Sequence, residues 1–215
     1  MFTGATISNF MLNGVAGMLI VSLQLVQLGG NQTAQQAGLL TLGYAIAIIA
    51  FIRVGEKLLQ RFGSRKPMIW GCLITGVSIA LLMPTNTLLQ DYRILAMVAY
   101  TLFGIGLAFY ATPSTDAALS SLPAAQAGSG AGIYKMASSL GGAFGVAISA
   151  AIFTALRVDN GSVQWLESLV SFAGRQDNLA IREAAIIALA FNLLMVGAAI
   201  VAILMTIPKG KKAAA

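Results

Sequence analysis

Six stretches of this sequence stay apolar for about the twenty residues that a helix needs to cross a bilayer. They run over Ala5–Leu28, Ala37–Val54, Pro67–Met83, Ile94–Pro113, Ala127–Leu156 and Ala184–Ile207. Only 9% of the residues are charged and 58% are hydrophobic, whereas a water-soluble domain carries about 25% charged residues. The chain therefore reads as an all-α membrane protein with six transmembrane helices, and the lipid bilayer is its first partner. Met1 precedes no basic segment and no cleavage pattern, and the first run is long enough to span, so a secretory signal is not expected there.

Composition also removes several classes of function. The net charge of +6 does not point to nucleic acid, because the basic residues flank apolar runs and are not interleaved with aromatics on a polar face. With no His and one Cys, zinc ligand sets and histidine triads are excluded. No catalytic residue, metal site or cofactor is expected, and the chain is not read as an enzyme. Cys72, inside an apolar run, reads as a small packing residue.

The connections set the orientation. Arg53, Lys57, Arg61, Arg65, Lys66 and the tail residues Lys209, Lys211 and Lys212 fall on one side of six alternating spans, while Arg93, Arg157, Arg175 and Arg182 fall on the other. The excess on the first side marks it as cytoplasmic. Both termini are thus expected in the cytoplasm of a multi-pass protein of the cell membrane, with residues 1–208 as the bundle and 209–215 as a basic tail. In the long connection 157–183, Trp165, Leu166, Leu169 and Val170 share one helical face, which suggests a short helix lying at the membrane surface.

The connection between the second and third runs carries "QRFGSRK" (Gln60–Lys66). This resembles the second part of the loop motif that joins two helices in bundles of the major facilitator superfamily: an acid, Arg, an aromatic, Gly, then basic residues. The motif residues here are Gly55, Arg61, Gly63, Arg65 and Lys66. Two departures degrade it, since Gln60 replaces the acid and Gly55 lies one residue too far from Gly63. "SLQLVQLGGNQTAQQAGLLTLGY" (Ser22–Tyr44) and "GIGLAFYATPSTDAALSSLPAAQAGSGAGIYKMASSLGGAFGVAI" (Gly104–Ile148) are similar to the C-terminal half of fourteen-helix drug:proton antiporters, the quinolone- and antiseptic-efflux proteins of the Nor type.

The resemblance implies one six-helix bundle built as a 3+3 inverted repeat. It also implies small-molecule drugs and protons as cargo, and a missing N-terminal half of the transporter as partner. The chain is then a fragment, a split product or a truncated reading frame. A non-transporting membrane protein and a six-helix carrier working as a homodimer stay open beside it.

Within the spans, Lys135 is the one basic residue at intramembrane depth, about 12 Å from Ala127 at about 1.5 Å per residue. Such a group costs about 2.5–3.5 kcal/mol to insert and marks a functional site by default, although a lysine can also snorkel to the surface. A cation there suits zwitterionic or anionic substrates, with Ser139 one turn away. Asp116, after Pro113, is either a partner for Lys135 that opens and closes with protonation or a solvated charge at a helix end. Asn9 and Asn13 share a face and line the cavity if the resemblance holds, whereas Asn192 reads as a packing residue and Gln24 and Gln27 as interfacial. Tyr134 is either a cavity wall or lipid-facing bulk. Gly128/Gly132 and Gly141/Gly145 are four-spaced pairs suited to close helix approach, and with no Gly-Lys-Ser/Thr nearby they form no phosphate loop.

Overall fold

In hydrocarbon a backbone amide has only other backbone groups to bond to, so each apolar run closes on itself as a helix. The computed structural model describes residues 1–86, 89–158, 172 and 178–208. It has six helical spans long and apolar enough to cross a membrane, and no strand among the described residues. The expected surface helix around Trp165 and the tail 209–215 lie outside the described residues, Phe172 apart.

The first span is a composite of α1 (Phe2–Gly14), α2 (Gly17–Gln24) and a wide π turn, Leu25–Gly29. The second comprises α3 (Ala34–Leu39) and α4 (Leu42–Phe62). Its start is earlier than the polarity of 29–36 suggested, because Thr33 and Gln36 form a reciprocal capping box. Helix α4 runs eight residues past Val54, so Glu56–Arg61 are helical and only Gly63 and Ser64 separate α4 from α5 (Arg65–Leu82). The fourth span, α6 (Leu89–Leu119), passes through Pro113 rather than ending there. The fifth is α7 (Ala127–Val158) and the sixth α8 (Leu179–Thr206), which begins more than a turn before Ala184 and so takes Arg182 and Glu183 into its buried face.

The pairing of spans has an internal symmetry. The first packs on the fifth and sixth, the fourth on the second and third, the third on the sixth, and the first on the fourth, while the fifth–sixth contact is much broader than its counterpart between the second and third. Exchanging the first three spans with the last three maps this set onto itself, as a 3+3 repeat requires. The second and fifth spans are the least buried.

Small residues set the closest approaches. A Cβ on Gly141 would strike the Phe10 carbonyl, and one on Gly145 would strike the Gly14 backbone, so α1 and α7 cross backbone to backbone. Gly71 and Gly106 meet in the same way between α5 and α6, where a Cβ on Gly71 would lie 2.6 Å from the Gly106 oxygen. Gly128 and Gly132 behave differently: nothing lies within 4 Å of a Cβ on either. Their spacing is that of a packing pair, but they face outward, and the expected close approach is absent there.

Two hydroxyl bonds join the first and fourth spans. Ser8 Oγ donates to the Ala5 carbonyl at 3.0 Å, which leaves the Tyr110 hydroxyl to donate to it at 2.7 Å. Ser22 Oγ donates to Met18 at 2.6 Å and receives the Tyr100 hydroxyl at 2.7 Å. Asn192 donates to Ser149 Oγ at 3.0 Å and to the Ala188 carbonyl at 2.7 Å, bridging α8 to α7 as a packing amide.

Candidate functional site

A cleft of about 240 Å³ opens in the face formed by the first, second, fourth and fifth spans. Each wall follows from helical spacing. Helix α1 presents Asn9 and Asn13, four residues apart. Helix α4 contributes Ile48 and Ile52, α6 contributes Leu107, Tyr110, Ala111 and Thr115, and α7 contributes Tyr134, Lys135 and Ser138.

The polar groups of this cleft bond to one another. Asn13 Nδ2 donates to Asn9 Oδ1 and to the Asn9 carbonyl, each at 2.8 Å. Asn9 Nδ2 donates to the Tyr134 carbonyl at 3.4 Å, and the Tyr134 hydroxyl donates to Ser114 Oγ at 2.8 Å. Tyr134 is therefore a cleft wall fixed at both ends rather than lipid-facing bulk. Lys135 is exposed at the cleft and forms no ion pair among the described residues. Among the described residues no carboxylate lines the cleft, and the one formal charge there is positive.

Two expected members are placed elsewhere. Ser139 is exposed and does not line the cleft; Ser138 does. Each helical residue advances by about 100°, which carries Ser139 past Lys135 and away from Tyr134. Asp116 is also exposed, and its Oδ2 accepts a hydrogen bond from Ser64 Oγ at 2.7 Å. The pairing of Asp116 with Lys135 is thus replaced by a tie between the end of α6 and the α4–α5 turn. Sequence reasoning missed Ser8, Tyr110 and Ser114. The signal was the polar pair Tyr110 and Ser114 at a spacing of four in an apolar run.

The α4–α5 turn is built from the motif residues. Gly63 has φ 70° and ψ 177°, a region that only glycine occupies without strain. Gly55 packs against α6, where a Cβ would strike the Ala108 carbonyl. The Arg65 guanidinium donates to the Leu204 carbonyl at 3.1 Å, placing a cation at the negative end of α8. Arg61 and Lys66 both stand over the Phe62 ring, 5.2 and 5.6 Å from its centre. The turn thereby ties together the ends of the second, third, fourth and sixth spans.

The sequence matches the family model described as Major Facilitator Superfamily over residues 2–214. The chain belongs to that superfamily. Six spans with this 3+3 pairing agree with one six-helix half of such a protein. Among curated major facilitator relatives, "Quinolone resistance protein NorB" of Staphylococcus aureus strain MRSA252 is 47% identical over 173 residues, covering 78% of this chain and 37% of the relative. The protein of the same name from strain Newman is 50% identical over 152 residues, covering 71% of this chain and 33% of the relative. The chain thus spans about a third of the length of these relatives.

Proposed function

We propose that this bundle forms one wall of a drug:proton antiporter that exports quinolone- and antiseptic-type compounds. The observation that carries the reading is the cleft: a polar floor of Asn9, Asn13, Tyr110 and Tyr134 with the cation of Lys135 at its edge, within an otherwise apolar bundle. The likeness to proteins named for quinolone resistance supports it. Quinolone drugs carry a carboxylate, and Lys135 supplies the charge that receives it, while the asparagine amides and Tyr134 hold polar atoms of the drug.

The other wall comes from a second, N-terminal bundle facing the second and fifth spans. That half also supplies the proton-carrying carboxylate, since no Asp or Glu among the described residues lines the cleft. The bundle sits in the cell membrane with the α4–α5 turn and both termini in the cytoplasm, the side favoured by the excess of Lys and Arg.

The test compares cells making these 215 residues alone with cells also supplied the N-terminal half of a related exporter. Efflux of a fluoroquinolone and of a cationic dye is followed with and without a protonophore. Efflux that needs both halves and stops with the protonophore is the expected result. Efflux by the short chain alone points instead to a self-assembled carrier, and no efflux when both halves reach the membrane overturns the reading.

A further inference from the structure

The basic residues of α4 lie on the side of the helix turned away from the cleft. Ile52 lines the cleft; at about 100° per residue, Arg53, Lys57 and Arg61 lie roughly 100°, 140° and 180° further round. All three are exposed. The same outward side carries Leu42, Ile46 and Ile49, exposed by 54%, 66% and 77%. One helix edge therefore runs from exposed aliphatic residues into a row of cations. Leu42 and Arg53 are about 16 Å apart along the axis, close to the roughly 15 Å depth of one hydrocarbon leaflet.

At the end of this row the cations are gathered by an aromatic. Arg61 and Lys66, from different helices, both stand over the Phe62 ring, whose negative face offsets part of their repulsion. Trp70 meets that ring edge-on, with centres 5.2 Å apart, and an indole beside basic residues is characteristic of headgroup depth. None of Arg53, Lys57, Arg61 and Lys66 forms an ion pair among the described residues, nor does Glu56, the one acid within residues 53–66; the Asp116 carboxylate stands at the same turn, held by Ser64.

We propose that this edge binds an anionic phospholipid, its acyl chain along Leu42, Ile46 and Ile49 and its phosphate among Arg53, Lys57, Arg61 and Lys66. The order of the surface, apolar and then cationic over one leaflet's depth, matches a lipid and not a soluble polyanion, which has no apolar part to place. Arg65 is not part of the site, being engaged with the Leu204 carbonyl. The binding does not depend on transport.

The experiment uses the full 215-residue chain in mild detergent and counts bound lipids by native mass spectrometry. Phosphatidylglycerol and phosphatidylcholine with identical acyl chains are the probes. Each cation at a membrane surface strengthens attraction to anionic lipid by about fivefold. The double variant Arg61→Gln/Lys66→Gln is expected to lose phosphatidylglycerol binding by roughly 25-fold and leave phosphatidylcholine unchanged.

Arg93→Gln/Arg157→Gln, which removes the same charge at the opposite end, is expected to bind as the parent does. Equal binding of the two lipids, or an equal loss in the Arg93/Arg157 control, overturns the proposal. If the Arg61/Lys66 variant fails to fold, Arg53→Gln/Lys57→Gln replaces it at exposed helical positions with the same expected loss. Thermal protection by inorganic phosphate equal to that by phosphatidylglycerol overturns the assignment to lipid.

Discussion

The crossing of α1 and α7 gives a sharp test of the packing, because two glycines on α7 with similar sequence surroundings face opposite environments. A Cβ added at Gly145 meets three backbone atoms of Gly14, its carbonyl oxygen, Cα and C. All lie well inside the ~3.5 Å at which carbon atoms reach their optimum separation. No rotamer relieves a clash with backbone, so Gly145→Ala must push the helices apart and loosen the neighbouring contacts of Gly17 with Ser149 and Gly141 with Phe10. Overpacking of this kind costs about 1–3 kcal/mol.

At Gly132 the same methyl meets nothing within 4 Å, and exchanging Gly for Ala inside a helix gains up to about 1 kcal/mol. For a chain of this size about 1 kcal/mol corresponds to roughly 2–4 °C. With the same gain set against the clash, Gly145→Ala is thus expected to lower the melting temperature in detergent by up to roughly 12 °C, and Gly132→Ala to leave it unchanged or raise it slightly. Size-exclusion recovery after heating, read by tryptophan fluorescence, measures both. Equal shifts for the two variants would refute the packing argument, since only the neighbours of the added methyl differ.

Other consequences follow from the same geometry. In the paired-half efflux assay, Lys135→Ala is expected to weaken handling of a carboxylate-bearing drug by about 10–100-fold, the worth of a charge-assisted hydrogen bond. A purely cationic dye should be spared and Lys135→Arg should retain function; equal loss of both substrates refutes the charge assignment. Ser8→Ala and Tyr110→Phe each remove one end of a buried bond worth about 1 kcal/mol. The double variant should cost less than the sum of the singles in a thermal-unfolding cycle, and strict additivity counts against the bond. Gly63→Ala places a side chain at φ 70° and ψ 177° and is expected to cost about 1–3 kcal/mol, seen as a lower melting temperature.

The number of spans was legible in the sequence because bilayer thickness fixes the length of an apolar run. Their ends were not. The apolar pattern stops where hydrocarbon stops, but backbone hydrogen bonding continues into the headgroup region, so α4 carries Lys57 and Arg61, α6 carries Asp116 and α8 carries Arg182 within the helix. The four-residue spacing of Gly128/Gly132 and Gly141/Gly145 says that each pair shares a face, and nothing in it says what that face meets.

The cleft divides in the same way. Lys135 stood out as a charge in an apolar run, and Asn9 and Asn13 as spaced amides. The placement of Ser138 in the cleft instead of Ser139, and of Asp116 beside Ser64, depends on how α6 and α7 are rotated against their neighbours. Only tertiary contacts set that rotation.

The two Ser–Tyr bonds between the first and fourth spans have a kinematic consequence. A single bond between two rods is a pivot about which they can scissor. Ser8 and Ser22 are fourteen positions apart, or about 21 Å of helix, and each holds a tyrosine of the opposing rod. Two fastenings so far apart remove the rotation that one would leave. Any opening and closing of the cleft must then keep the first and fourth spans in one orientation to each other, and leaves the movement to the less buried second and fifth spans.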